Sequence, residues 1–98
     1  MADYILLMHD DAVAPINTDA WGRYIAGLRS AGAFEGGSAV GPGVCMRKTD
    51  AVPSISAHLG GYMRITAGSL DEARTLVAGN PVFEAGGTVE IRELPRTD

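Results

Sequence analysis

The sequence has little cysteine and no long apolar run, and each shortage excludes a class of protein. Cys45 is the only cysteine among 98 residues, so no disulfide can form within the chain, as is typical of a reducing cytoplasm. No run approaches the ~18 apolar residues of a membrane span. The opening MADYILLMHDD has neither the basic start nor the apolar length of a signal peptide. We therefore expect a cytoplasmic protein without a membrane partner.

Positive charge and metal-ligating side chains are also scarce. The chain has 8 lysines and arginines against 12 acidic residues, a net charge of −4, and no basic stripe, so nucleic acid is not an expected partner. Two histidines and one cysteine cannot build a closed zinc site from nitrogen and sulfur ligands alone. The GPG at 41–43 has no following lysine or helix and is interpreted as a turn, not a phosphate loop. We expect no metal and no cofactor.

The remaining composition is ordinary, with 46% hydrophobic and 20% charged residues. Such a length and mix predict one domain, residues 1–98, with a single modest core.

The first half of the chain predicts a strand, a helix and an interrupted strand. YILLM at 4–8 is apolar at every position, which indicates a strand apolar on both faces. NTDAWGRYIAGLRSAG predicts a helix that begins at Asn17 or Thr18 and stops at Gly32. Its apolar stripe comprises Trp21, Tyr24, Ile25, Leu28 and Ala31. Glycines then interrupt a strand over 34–40, followed by a turn and a short return strand over 44–47.

The second half carries stronger local signals. GGYMRITA alternates as a strand does, and Ser69 with Glu72 three residues later forms a capping box at a helix start. The buried stripe of that helix is predicted to comprise Leu70, Ala73, Leu76 and Val77. Gly79 or Asn80 ends the helix in the left-handed conformation, and Pro81 prevents continuation. Val82 and Phe83 are then expected to enter the core, before Gly86-Gly87 turns the chain into a last strand with Val89 and Ile91.

This order of elements predicts an α+β protein with a ferredoxin-like split βαβ fold. The sequence of elements is βαββαβ, which gives an antiparallel sheet with two helices on one face. In the first strand Tyr4, Leu6 and Met8 alternate with Ile5 and Leu7. One of these apolar sets must lie on the uncovered face, where contiguous apolar surface is typical of an association site. We therefore expect a homodimer formed through that sheet face.

Nearly the whole chain resembles the YCII-related (YciI-like) protein family. HLGGYMRITAGSLDEARTLVAGNPVFEAGGTVEIREL is similar to the C-terminal half of that family, and YILLMHDD with WGRYIAGLRSAGAFEGGSAVGP to its N-terminal half. The resemblance implies a dimeric α+β barrel, two sheets face to face, with a small cleft between sheet and helices. It also implies lyase- or isomerase-like chemistry, with a histidine–aspartate pair proposed in some members.

Two departures from the family pattern bear on its chemistry. The loop TDAVPSISAHLGG replaces the Asp-Gly-Pro-Phe motif of many relatives. Where relatives carry a histidine on the first helix, the matching position here is Tyr24. The family's helix histidine is therefore not carried over to this chain.

His9 is the candidate catalytic base. It lies at the predicted carboxyl end of the first strand, and in an extended chain Asp11 shares its face as the orienting carboxylate. The alternative is a solvated strand end with turn-forming aspartates. The candidate substrate-binding residues are Tyr24, Asp50, His58, Tyr62 and Arg64. Arg64 could instead pair with Glu90 or Glu35 at a dimer interface.

Two functions follow as hypotheses. One is a lyase- or isomerase-like enzyme that acts on a small organic acid or cyclic metabolite, with His9 as base. The other is a non-catalytic dimeric module that binds a metabolite or a protein. A cleft lined by His9, Tyr24 and Tyr62 would favour the enzyme, whereas a cleft filled with apolar side chains would favour the module.

Overall fold

The computed structural model describes residues 1–96, which form an α+β structure around one antiparallel sheet. Its strands run in the order β2-β3-β1-β4, and every neighbouring pair is antiparallel. The elements in chain order are β1 (Ala2–His9), α1 (Ala20–Ser30), β2 (Phe34–Ala39), β3 (Leu59–Ala67), α2 (Leu70–Thr75), α3 (Pro81–Glu84) and β4 (Val89–Leu94).

β1 lies at the centre of the sheet and carries one half of the core. Leu6 is opposite Met63 on one side and Ile91 on the other, and its side chain is fully buried. Tyr4 and Met8 share this face because side chains two residues apart along a strand point the same way. The cluster that they form with β3 is covered by Tyr24 and Leu28 of α1, by Ala73 of α2 and by Val77 of the turn after α2.

The opposite face of the sheet is not covered by any helix within residues 1–96. Its centre is apolar, since Ile5 and Leu7 of β1 point there and are only half-buried. Polar groups surround them, because Ile5 is opposite Arg64 and Arg92, while Leu7 is opposite Tyr62 and Glu90. We call this surface the open face.

The start of α1 differs from the prediction. The N-cap is Asp19, whose side chain makes no capping bond, and the helix begins at Ala20. Asn17 instead accepts a hydrogen bond from the Asp19 amide at 3.1 Å, which organises the turn before the helix. The predicted end is confirmed, since α1 stops at Ser30 and Gly32 adopts φ +70°.

The predicted capping box is confirmed in modified form. Ser69 Oγ accepts a hydrogen bond from the Glu72 amide at 3.1 Å. The Glu72 carboxylate reaches back one residue further than expected, to the Gly68 amide at 3.1 Å. Gly79 ends this segment with φ +88°, as predicted. Asn80 then caps α3 by accepting from two backbone amides.

Several predicted core positions and one strand are wrong. Leu70 is 52% exposed and Phe83 is 48% exposed, so neither side chain enters the core. Val82 is buried, and Phe83, about 100° further round the helix, faces away. Ala31 lies beyond the last helical residue and is exposed. Residues 40–58 contain no strand, so the predicted return at 44–47 does not form.

Replacement of Ser69 by alanine should lower the free energy of unfolding by about 1 kcal/mol, because the Glu72 amide would lose its acceptor. Urea melts of the wild type and Ser69→Ala measure the difference. Ser69→Asp, which retains a capping oxygen, is the matched control and should stay close to wild type. Equal losses in both variants would contradict a capping role for this oxygen.

Candidate functional site

His9 lies at the end of β1 and is held by a carboxylate from the neighbouring strand. The β1–β3 register shifts between Met8 and His9, while the His9 amide still donates to the Thr88 carbonyl at 2.9 Å. The His9 Nε2 atom is 3.0 Å from Glu90 Oε1. The His9 side chain is 20% exposed, so the ring is shielded but can be reached from solvent.

Glu90 is itself fixed in place by a second contact. Arg92 Nη1 donates to its other oxygen, Oε2, at 3.0 Å. The hydrogen bond from Arg92, followed by that from His9, holds the pKa of the Glu90 carboxyl below its ordinary value. Because an ionised carboxylate only accepts hydrogen bonds, Nε2 of His9 is the donor, and Nδ1 of the neutral ring keeps a free lone pair. A histidine oriented in this way can take up a proton from a bound molecule.

His58 lies edge-on against His9. The two ring centroids are 4.9 Å apart at an interplanar angle of 72°. The backbone strengthens this approach, since the Asp10 amide donates to the His58 carbonyl at 2.7 Å. The structure therefore brings together the two histidines that lie 49 residues apart in the sequence.

A cleft of about 450 Å³ opens beside His9, between α1 and the β2–β3 edge of the sheet. Its walls are mostly apolar and include Trp21, Ile25 and Phe34, while His9 and Tyr62 are among the polar lining residues. Gly37 lets β2 approach β3 closely at the cleft, since a Cβ there would lie 2.6 Å from the Tyr62 carbonyl oxygen. A cleft with apolar walls and a few polar groups suits a small organic ligand.

Asp11, the predicted orienting carboxylate of His9, directs its hydrogen bonds to Thr88. Asp11 accepts hydrogen bonds from the Thr88 amide at 2.8 Å and from the Thr88 hydroxyl at 2.7 Å. These two bonds hold the pKa of the Asp11 carboxyl below its ordinary value. β1 ends at His9, so the strand periodicity that would have placed Asp11 beside it no longer applies. Asp11 therefore ties the loop after β1 to the start of β4.

Glu90 is the orienting residue that the sequence analysis missed. The alternation of VEIREL already separates Glu90 from Val89 and Ile91. Placing Glu90 beside His9 also requires the pairing of β4 with β1, where Leu7 is opposite Glu90. Strand alternation alone does not supply that pairing.

Tyr24 belongs to the core and does not line the cleft beside His9. Its hydroxyl donates to the Leu76 carbonyl at 2.7 Å, and the side chain is buried. Burial raises the pKa of the Tyr24 hydroxyl, partly offset by the Asn80 amide. Tyr24 borders a larger, shallower concavity of about 760 Å³ between α1 and residues 75–85. We assign the candidate site to the smaller cleft because neither histidine lines the larger one.

Two other predicted binding residues lie away from the cleft, one on the open face and one in the loop between β2 and β3. Arg64 is exposed on the open face, opposite Ile5. Within residues 1–96 it forms no ion pair with Glu35 or Glu90, although its charge helps to lower the pKa of Asp3. Asp50 lies in the exposed loop with φ +69° and lines none of the concavities described.

Comparison with known proteins adds no assignment, since no family model and no curated protein matches the chain.

In the described part of the chain, no three histidine, cysteine or acidic side chains are grouped as metal ligands. None of the helices over residues 1–96 has the length and apolar character needed to cross a bilayer.

The Asp11 contacts predict how stability depends on pH. Because the pKa of Asp11 is lower in the folded chain than its ordinary 3.8, its contribution is complete above that value and is lost as the pH falls below it. Asp11→Asn should therefore reduce the free energy of unfolding at pH 7, and this loss should shrink as the pH falls below 3.8. Urea melts at pH 7 and at a series of acidic pH values test this. Asp10→Asn, at the neighbouring exposed position, is the matched control.

Tyr24→Phe should lower the free energy of unfolding by about 1 kcal/mol, because the Leu76 carbonyl would lose its buried donor. If Tyr24 served ligand binding instead of the core, the substitution would leave urea melts unchanged and weaken ligand affinity.

Proposed function

We propose that the chain is a YCII-related protein with a ferredoxin-like sheet, and that it acts as a general acid–base catalyst on a small organic metabolite. The reaction class that we propose is lyase- or isomerase-like. The strand order β2-β3-β1-β4 is compatible with the split βαβ arrangement. The order of the Gly-Gly-aromatic strand, the Ser-x-x-Glu helix and the Pro-then-Gly turn supports the family proposal.

The contact between His9 and Glu90 carries the catalytic proposal. The reactions proposed here begin with removal of a proton from carbon. In the lyase-like case a leaving group then departs from the adjacent carbon with its bonding electrons, and in the isomerase-like case a proton returns to a different atom. A neutral imidazole with one nitrogen fixed and the other free performs this step near neutral pH. The Glu90 carboxylate stabilises the imidazolium that forms when Nδ1 accepts the proton.

The cleft indicates the class of substrate. Its volume of about 450 Å³ suits a small molecule, and Trp21, Ile25 and Phe34 offer contact to a ring or a short alkyl group. Within this proposal the molecule carries a carbonyl or carboxyl group that makes the neighbouring C–H acidic enough for histidine. His58 is the polar side chain closest to this chemistry, because its ring lies against His9. Tyr62 borders the cleft from a strand position opposite Leu7.

We further propose that two copies associate through the open face. Ile5 and Leu7 would be buried there, and exposed apolar surface at the centre of a sheet favours association. The surrounding charges of Arg64, Glu90 and Arg92 would lie at or near the contact.

The second candidate is a non-catalytic module that binds a metabolite in the same cleft. The position of Tyr24 favours it, because this residue aligns with the family's helix histidine and is used in the core. Binding without turnover is the behaviour that this alternative predicts.

The test is a screen of small cyclic and open-chain carboxylates against ¹⁵N-labelled protein, followed by a turnover assay of each compound that shifts the Gly60, Gly61 and Trp21 signals. His9→Gln should lower kcat by ~10²–10⁴-fold, the usual contribution of an acid–base residue. Glu90→Gln should lower it by a smaller factor. Arg74→Gln, on α2, is the surface control and should retain wild-type turnover.

Two results would count against catalysis by His9. If the His9→Gln variant retains turnover, a residue other than His9 catalyses the reaction. Compounds that bind to the cleft without being converted by the wild type would leave the binding module as the function.

A further inference from the structure

Residues 40–58, which we call the arm, extend from the sheet between β2 and β3. Five large apolar side chains of the arm are exposed: Val40 at 43%, Val44 at 84%, Met46 at 91%, Val52 at 55% and Ile55 at 42%. The arm also contributes no residue to the His9 cleft of its own chain. Monomeric soluble proteins rarely expose so much apolar surface in one segment.

The hydrogen bonds of the arm do not fix it to the body of the protein. Within the described residues, Cys45 Sγ approaches the Ser54 carbonyl at 3.6 Å, and Arg47 donates to the Ala51 carbonyl at 3.0 Å. Both contacts are internal to the arm. Over residues 1–96, the backbone bonds between the arm and the sheet lie at the two ends of the arm, from the Val40 amide to the Gly60 carbonyl and from the Asp10 amide to the His58 carbonyl.

The single chain is more extended than a compact monomer should be. It exposes 6572 Å², whereas a monomer of this mass is expected to expose roughly 5,300 Å². Its radius of gyration is 14.9 Å, against roughly 12.6 Å for a compact domain of this length. The excess area exceeds the ~800 Å² that each partner loses in a standard interface.

The excess area and symmetry identify the partner as a second copy. The area that the single chain exposes beyond a compact monomer is enough for an interface with another copy. The chain also presents two apolar surfaces without a partner, the arm and the open face. In a twofold-symmetric dimer, the arm of each copy can pack against the open face of the other copy.

We propose that the arm is an exchange arm, which packs against the open face of a second copy beside the facing sheet and is buried only in the dimer. This inference depends on the homodimer in the proposed function, and it is independent of catalysis by His9.

The first test is sedimentation velocity over a range of protein concentrations, with the double variant Val44→Asp/Met46→Asp. Both side chains project into solvent in the single chain, so its fold should persist, as far-ultraviolet circular dichroism would show. The dimer dissociation constant should rise at least tenfold, the ratio that corresponds to ~1.4 kcal/mol. Leu70→Asp, at an apolar position on α2 that is 52% exposed, is the matched control and should dimerise as the wild type does.

The second test uses the native Cys45 and needs no substitution. Its rate of reaction with Ellman's reagent should fall several-fold as the protein concentration rises through the dimer transition. If Cys45 reacts at the same rate in the monomer and in the dimer, the arm is not buried by association and the proposal is overturned.

The possible outcomes distinguish failure of the arm proposal from failure of the homodimer proposal. If Leu7→Asp dissociates the dimer while Val44→Asp/Met46→Asp leaves it intact, the arm proposal is overturned and the face-to-face homodimer stands. If the wild type sediments as one chain at all concentrations, both proposals fail, whatever the outcome for catalysis.

Discussion

The structure depends on the central strand β1 being apolar on both of its faces. Leu6 is fully buried between β3 and β4 and supports the core beneath the helices. Ile5 and Leu7, which alternate with it, must therefore point to the other face, where no helix of the described chain covers them. One strand thus sets both the interior of the protein and the surface through which we propose that it associates.

The same alternation determines where the candidate chemistry lies. His9 continues the series of Ile5 and Leu7 and meets Glu90 from β4 at 3.0 Å. The His9 ring therefore lies at the edge of the open face as well as beside the cleft. A second copy on that face would exclude water from the His9–Glu90 pair, and exclusion of water strengthens such electrostatic contacts. In the proposed dimer, association and catalysis share this edge of the sheet.

Local signals in the sequence predicted local structure well. The Ser69–Glu72 cap, the left-handed Gly79 and the stop at Gly32 follow from hydrogen bonds and backbone angles within a few residues. The exposure of Phe83 was missed because the orientation of a four-residue helix depends on tertiary packing. The partner of His9 was missed for a related reason: Glu90 is 81 residues away, and only strand pairing brings the two together. Which residues meet at the candidate site is a property of the sheet register.

The face-to-face dimer is the central claim, and isotope-filtered NMR tests it most directly. Chains with ¹³C-labelled Ile and Leu methyl groups are mixed with unlabelled chains, and only contacts between the two kinds of chain are recorded. We predict intermolecular cross-peaks from the methyl groups of Ile5 and Leu7 and none from Leu70. Cross-peaks confined to Leu70, or none at a concentration where two chains are associated, would contradict the account.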